Sequence, residues 1–165
     1  MSALLVFWLV FGPAIASAAI SLTADALIAD RGVRSRAVLL SALVLALGGA
    51  AGIWTGWTLA PEAALASFMA GGAYSVIPGV AFLLAAAAVA VGSSGPRGAQ
   101  NAGLIAFAVA SGALAAASGD LVSLIICVEG AAICSYALVH SARTPRSAEV
   151  SMKYFVQGSV ATGIF

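Results

Sequence analysis

The chain has 165 residues, of which 62% are hydrophobic and only 8% charged, and its mean hydropathy is +1.10. A soluble domain of this length needs charge to cover its surface, so the composition excludes a water-soluble globular protein and points to an integral membrane protein. The formal net charge of +1 carries no message about nucleic acid or acidic partners, and no nucleic-acid partner is expected.

About 20 apolar residues are needed to cross a hydrocarbon core of roughly 30 Å. Six segments meet that need, at about 3–22, 37–59, 70–91, 102–119, 121–140 and 146–165, so the chain reads as an all-α polytopic transmembrane helix bundle forming a single membrane domain over 1–165. In the first span, Ala16-Ser17-Ala18 resembles a signal-peptidase site. Nothing basic precedes Val6, however, and the arginines follow the span, so it reads as a retained helix. Gly12-Pro13 predicts a kink, which a lipid-embedded helix tolerates when neighbours satisfy the freed carbonyl.

Gly48, Gly52 and Gly56 make a seam of small residues along the second span, where backbones can approach closely. Trp54 and Trp57 read as an interfacial belt. Gly71-Gly72 and Pro78-Gly79 predict a loose start and a kink in the third span. Its alanine-rich stretch from Ala85 to Ala90 is helix filler. Between the fourth and fifth spans stand only Gly119 and Asp120, whose turn chemistry predicts a hairpin.

Loop charges give the orientation. Arg31, Arg34 and Arg36 lie in the first connection, Arg97 in the third, and Arg143 and Arg146 in the fifth, while the second holds Glu62 and the fourth Asp120. All six arginines thus fall on one side, which places that side in the cytoplasm and both termini outside. For a bacterial chain this is the plasma, or inner, membrane, crossed several times.

Cys127 and Cys134 lie seven residues apart on one helix, about 10 Å along its axis, too far to bridge each other. They read as small packing residues, and no metal-ligand spacing is present. His140 falls at the cytoplasmic end of the fifth span, where an interfacial helix-end role is favoured over a proton relay.

The informative residues are Glu129 in the fifth span and Lys153 in the sixth. A charge at the centre of a bilayer costs roughly 2.5–3.5 kcal/mol on insertion scales, so ionisable residues there mark functional sites. Glu129 is eleven residues from His140, about 16 Å, and Lys153 eight from Pro145, about 12 Å, so both lie near mid-membrane on helices that should be antiparallel neighbours. Glu149 precedes Lys153 by four residues, the favourable order for an acid and a base. With Thr144 as N-cap and Pro145 next, Glu149 is expected in the first helical turn. Lys153 therefore has two acidic candidates. Glu149 can reach the interface by snorkelling and reads as a neutralising partner, whereas Glu129 is too deep to do so. Desolvation favours a protonated carboxyl and a nearby ammonium favours the ionised form, so a movable lysine beside a buried glutamate is the minimum equipment for a proton relay.

These residues carry a family resemblance. Gly119-Asp120-Leu121, Glu129 with Tyr136 seven residues on, then Glu149-Val150-Ser151-Met152-Lys153-Tyr154-Phe155 and Gly158 resemble the antiporter-like membrane subunits of proton-pumping NADH-quinone oxidoreductase, respiratory complex I. The Glu-x-x-x-Lys-Tyr-Phe pattern is closest to the subunit N type. The resemblance covers roughly residues 101–165.

It implies a proton-translocating subunit without redox chemistry of its own. Glu129 and Lys153 would be the relay residues, with Glu149, His140 and Tyr136 as accessory candidates and no cofactor or metal in this chain. NADH, FMN, iron-sulfur clusters and quinone would be handled in partner subunits, and the partners would be other membrane subunits of complex I and the lipid bilayer. The family's chains are longer, with a second inverted bundle, and its principal partner lysine stands on the next helix. The absence of a polar tail after Phe165 suggests an N-terminal piece of such a chain.

Two departures stand out. Gly130-Ala131-Ala132-Ile133-Cys134-Ser135 follows the glutamate without the family's proline, and Gly72-Ala73-Tyr74 stands where an acidic residue is common. Other readings are a subunit of a cation/proton antiporter or membrane-bound hydrogenase, and, from another class, a small proton-coupled exporter or a membrane scaffold. Ile, Cys, Val, Gly and Ala around Glu129 argue against an exporter cavity for aromatic cations.

Overall fold

The computed structural model describes residues 3–58, 73–92, 97–118, 120–141 and 143–164. All the regular structure in them is helical: α1 (Ala3–Leu27), α2 (Arg31–Thr58), α3 (Ala73–Gly92), α4 (Gly98–Ala117), α5 (Leu121–His140) and α6 (Pro145–Ile164). The expected all-α membrane bundle is what the chain forms. Among the described residues, Arg31–Trp54, Gly98–Ala116 and Leu121–His140 are long and apolar enough to cross a membrane, and Phe11–Leu27 and Val80–Val91 are shorter apolar stretches. The sixth helix has 20 residues but is the more polar for carrying Arg146, Glu149, Lys153 and Gln157.

Packing divides the helices into two groups. In sequence α1 packs on α2, α2 on α3 and α3 on α4, and α4 returns to α1, closing a four-helix ring. From α4 hangs α5, and from α5 hangs α6. The ring's core joins Phe11, Ala14 and Ala18 of α1 to Leu45 of α2, Phe82 of α3 and Ala106 of α4. Phe11 meets Phe82 edge to face, with ring centroids 5.9 Å apart, the arrangement that aromatic quadrupoles prefer. Around this pair most core positions are alanine, which lets helix backbones come close where lipid offers no hydrophobic drive to association. Gly48 and Gly52 of the expected seam are buried. Gly103 is placed where a Cβ would press on Leu22 and approach the Ala18 carbonyl, so α4 meets α1 there at backbone distance.

The helices overrun the apolar segments from which they were expected. The first continues to Leu27, the second starts at Arg31 and the fourth at Gly98. Hydrophobicity stops where lipid stops, but a helix stops where its end groups find other partners. Asp30 caps the start of α2 by accepting from the Gly32 N–H at 2.7 Å. Arg34 folds back over the end of α1, its guanidinium donating to the Ile28 carbonyl at 2.6 and 3.0 Å and to Asp25 at 3.4 Å. Arg31, Arg34 and Arg36 therefore belong to the first turns of α2 and not to a loop. The helix also runs unbroken through Pro13. Glu62, Gly71, Gly72, Gly119 and Phe165, with the side chains of Gly56, Trp57, Pro78 and Gly79, lie outside the described residues.

Candidate functional site

Capping chemistry sets the α5–α6 pair. Asp120, expected only as a turn residue, is the N-cap of α5: it has extended backbone, and its carboxylate accepts from the Ser123 N–H at 2.8 Å. That hydrogen bond holds its pKa below the ordinary aspartate value. At the far end the helix closes with Ser141 bonded back to Ala137 and Leu138. Arg143 then takes the left-handed conformation (φ 49°), uncommon for a residue with a Cβ, and its N–H donates to the His140 carbonyl at 2.9 Å.

Thr144 caps α6 as expected, by a reciprocal pair. The Ser147 N–H donates to Thr144 Oγ1 at 3.0 Å and the Thr144 N–H to Ser147 Oγ at 2.9 Å. Serine here takes the part that glutamate or glutamine usually plays in a capping box. With Pro145 as the first helical residue, Glu149 is the fifth. The expectation that it lies in the first turn is corrected: it lies in the second, and α6 has no acidic residue in its first turn.

Between the two helices runs a groove of about 290 Å³. Leu124, Val128 and Ala132 of α5 make one apolar wall, with Gly158 and Ala161 of α6 opposite. Glu129, Tyr136 and Thr162 line it too, almost wholly through their carbon atoms. Glu129 is half-buried, nine residues into a helix of 20 and so near its middle. Tyr136 lies two turns nearer the Arg143 end on the same face, as spacing of seven dictates. Its ring stacks edge to face on Phe155 at 5.9 Å, its carbonyl accepts from Ser151 Oγ at 3.0 Å, and its hydroxyl lies where a Cβ on Gly158 would collide with it. Gly158 is therefore the space into which the tyrosine fits. The Thr162 hydroxyl returns to the Gly158 carbonyl at 2.7 Å.

Lys153 stands elsewhere. It pairs with Glu149 at 2.5 Å, both side chains well exposed at 72% and 64%. With Met152, Val156 and Gln157 they edge a different groove, on the side of α6 turned away from α5. The Ser151–Tyr136 bond sets the register, so Glu129 is level with Gly158–Thr162 and Lys153 lies roughly 10 Å nearer the other end of the helix. Of the two acidic candidates for Lys153, the one it meets is Glu149. Spacing within a helix could show that pair; the face of α6 that meets α5 depends on Ser151, Phe155 and Gly158, whose packing role no charge pattern announces.

His140 is exposed as the last residue of α5. Cys127 and Cys134 are free thiols, half-buried and buried respectively. Close approach also fixes α5 to the ring beside the site, because a Cβ on Gly130 would stand 3.0 Å from Ser111 Oγ on α4.

The chain is similar to two curated proteins. It is 33% identical over 69 residues to NADH-quinone oxidoreductase subunit N of Helicobacter hepaticus, a match covering 42% of this chain and 14% of that protein. It is 43% identical over 63 residues to NADH-quinone oxidoreductase subunit N 1 of Solibacter usitatus, covering 38% of this chain and 13% of that protein. The matched region thus spans about one seventh of the length of each relative. No family model matches the chain, and no solved structure matches it.

Proposed function

We propose that the chain forms part of a proton-translocating membrane subunit of NADH-quinone oxidoreductase, in which Glu129 holds and releases the proton. The observation that carries this reading is Glu129, half-buried at the middle of a membrane-length helix and lining an apolar groove together with a tyrosine and a threonine. Likeness to subunit N supports the assignment to that complex. On this reading the six helices cross a bacterial inner membrane with both termini outside. NADH, FMN, iron-sulfur clusters and quinone are handled by partner subunits.

The groove suits the task. It places Glu129 beside two hydroxyl-bearing side chains, and a hydroxyl can accept or donate a proton without carrying charge. Tyr136 leads from Glu129 toward the arginine-bearing end, held in place by Phe155 and the gap at Gly158. Lys153 and Glu149 act as a second ionic step on the other face of α6. Their exposure supports covering of that face by further protein, since a lipid-facing ammonium about 12 Å from the helix end would cost about as much as any buried charge in a span.

Replacing Glu129 by Gln keeps shape and polarity and removes the titrating group. In membrane vesicles carrying the assembled complex, Glu129→Gln is expected to lower quinone-dependent NADH oxidation and proton movement together, by roughly tenfold or more, and Lys153→Met to give a smaller, partial loss. Unchanged coupled pumping in Glu129→Gln would remove it as the proton carrier.

A further inference from the structure

The ring encloses a second polar array that the α5–α6 groove does not use. On α1, Ser17, Ser21 and Asp25 follow one another at intervals of four, so two hydroxyls and a carboxylate share one face, each about 6 Å beyond the last. Ser17 and Ser21 are fully buried, and so is Ser41 on α2. Ser21 donates to Ser41 Oγ at 2.7 Å, and Ser41 donates to the Val38 carbonyl at 2.7 Å. At the outer end, Asp25 meets Arg34 at 3.4 Å, the two side chains 33% and 25% exposed. A polar line therefore runs from a partly solvated ion pair to the centre of the ring.

Its inner end is unsatisfied. Hydroxyls in a helix commonly return to the carbonyl three or four residues back, as those of Thr23, Ser135 and Thr162 do here. The Ser17 hydroxyl has no protein partner among the described residues, although it is fully buried. A second buried polar atom without a partner, Asn101 Oδ1, lies on α4 two residues from Gly103, where α4 abuts α1. Leaving such a group dry costs about 1–3 kcal/mol, and native interiors meet that cost with bound water. The Ser21 hydroxyl gives its proton to Ser41 and so keeps an acceptor position open. Hydroxyls one turn apart stand at the separation that one water, with two bonds of about 2.8 Å, can span.

We propose that the four-helix ring holds a water molecule between Ser17 and Ser21, at the inner end of a polar line that opens at the Asp25–Arg34 pair. The site is independent of Glu129 and lies on helices outside the α5–α6 pair. Water on it completes the Ser17 hydroxyl and extends hydration two helical turns inward from Asp25.

The test is water-edited solid-state NMR on the full chain in lipid, with labelled serine and alanine and the Ser17 signal identified by its loss in Ser17→Ala. Polarisation from water is expected to reach Ser17 and Ser21 about as fast as the partly exposed Ser118, and several times faster than the fully buried Ala14. Build-up at Ser17 no faster than at Ala14 would overturn the proposal. Rates are read on the unaltered chain, and Ser21→Ala gives a second assignment should Ser17→Ala fail to fold. Thermal unfolding gives an independent sign: removing a hydrated hydroxyl lowers Tm, whereas removing a dry, unpaired one raises it. A higher Tm for Ser17→Ala would equally overturn the proposal.

Discussion

The ring of α1 to α4 and the arm of α5 and α6 use almost the same residue alphabet and do opposite things with it. Among the described residues, every buried apolar side chain belongs to the ring except Cys134. Both groups expose apolar side chains, but the arm buries almost none and carries Glu129, Glu149 and Lys153. The ring's fully buried polar side chains are uncharged serines, whereas the arm carries ionisable groups on helices that are less enclosed. The ionisable side chains of the arm therefore stand outside the packing that holds the ring together.

That contrast is sharpest in paired truncations. Phe82 is fully enclosed and stacked on Phe11, so Phe82→Ala is expected to destabilise by about 3 kcal/mol or more. Phe155 is half exposed and stacked on Tyr136, so Phe155→Ala should cost about 0.5–1.5 kcal/mol, the worth of the aromatic pair. Reversible unfolding in mixed micelles compares the two, and equal losses would break the division into ring and arm.

Gly158→Ala probes the arm from within. The new methyl group must displace the Tyr136 hydroxyl, an overpacking expected to cost about 1–3 kcal/mol. Proton movement should fall as well, because the tyrosine leaves the groove that it shares with Glu129. If Tyr136 has no part in the path, stability will drop with pumping unchanged.

The smallest effect is a pH dependence at the join between ring and arm. The Asp120 carboxyl binds its proton less readily in the folded chain than in the unfolded one, because the Ser123 N–H is bonded to its ionised form. Its contribution to α5 is therefore complete above the ordinary aspartate pKa of about 3.9, and it fades as pH falls through the lower folded value. Asp120→Asn keeps a capping oxygen, so it should retain the helix end and lose this acid sensitivity. Helicity followed against pH in the two proteins measures the difference.

Much of this is legible in the sequence. Spans about 20 residues long announce themselves by apolar runs, so the six helices were visible, and Thr144-Pro145 marked the start of α6 by chemistry specific to helix N-termini. Helix ends were less visible where the stop signal is a contact between helices: no local pattern says that Arg34 will turn back to Ile28. In the candidate site, the place of Glu129 at the middle of α5 follows from counting residues, and the Glu149–Lys153 pair from spacing. Which face of α6 meets α5 does not. It is decided by Gly158 making room for Tyr136 and by Ser151 reaching a backbone carbonyl, and both relations appear only once the helices are side by side.

The clasp that Arg34 makes on the end of α1 bears on how such a chain is made. It joins residues only nine and six positions apart, so it can close as soon as α2 begins to leave the ribosome. The Ile28 carbonyl, just past the end of α1, is then covered before that hairpin meets the rest of the ring, and the first two helices can enter the bilayer as one unit. Glu129 and Lys153 are synthesised about a hundred residues later. A substitution at Arg34 is thus expected to act early in biogenesis, felt as missing protein, whereas one at Glu129 touches a helix made only after that hairpin has closed.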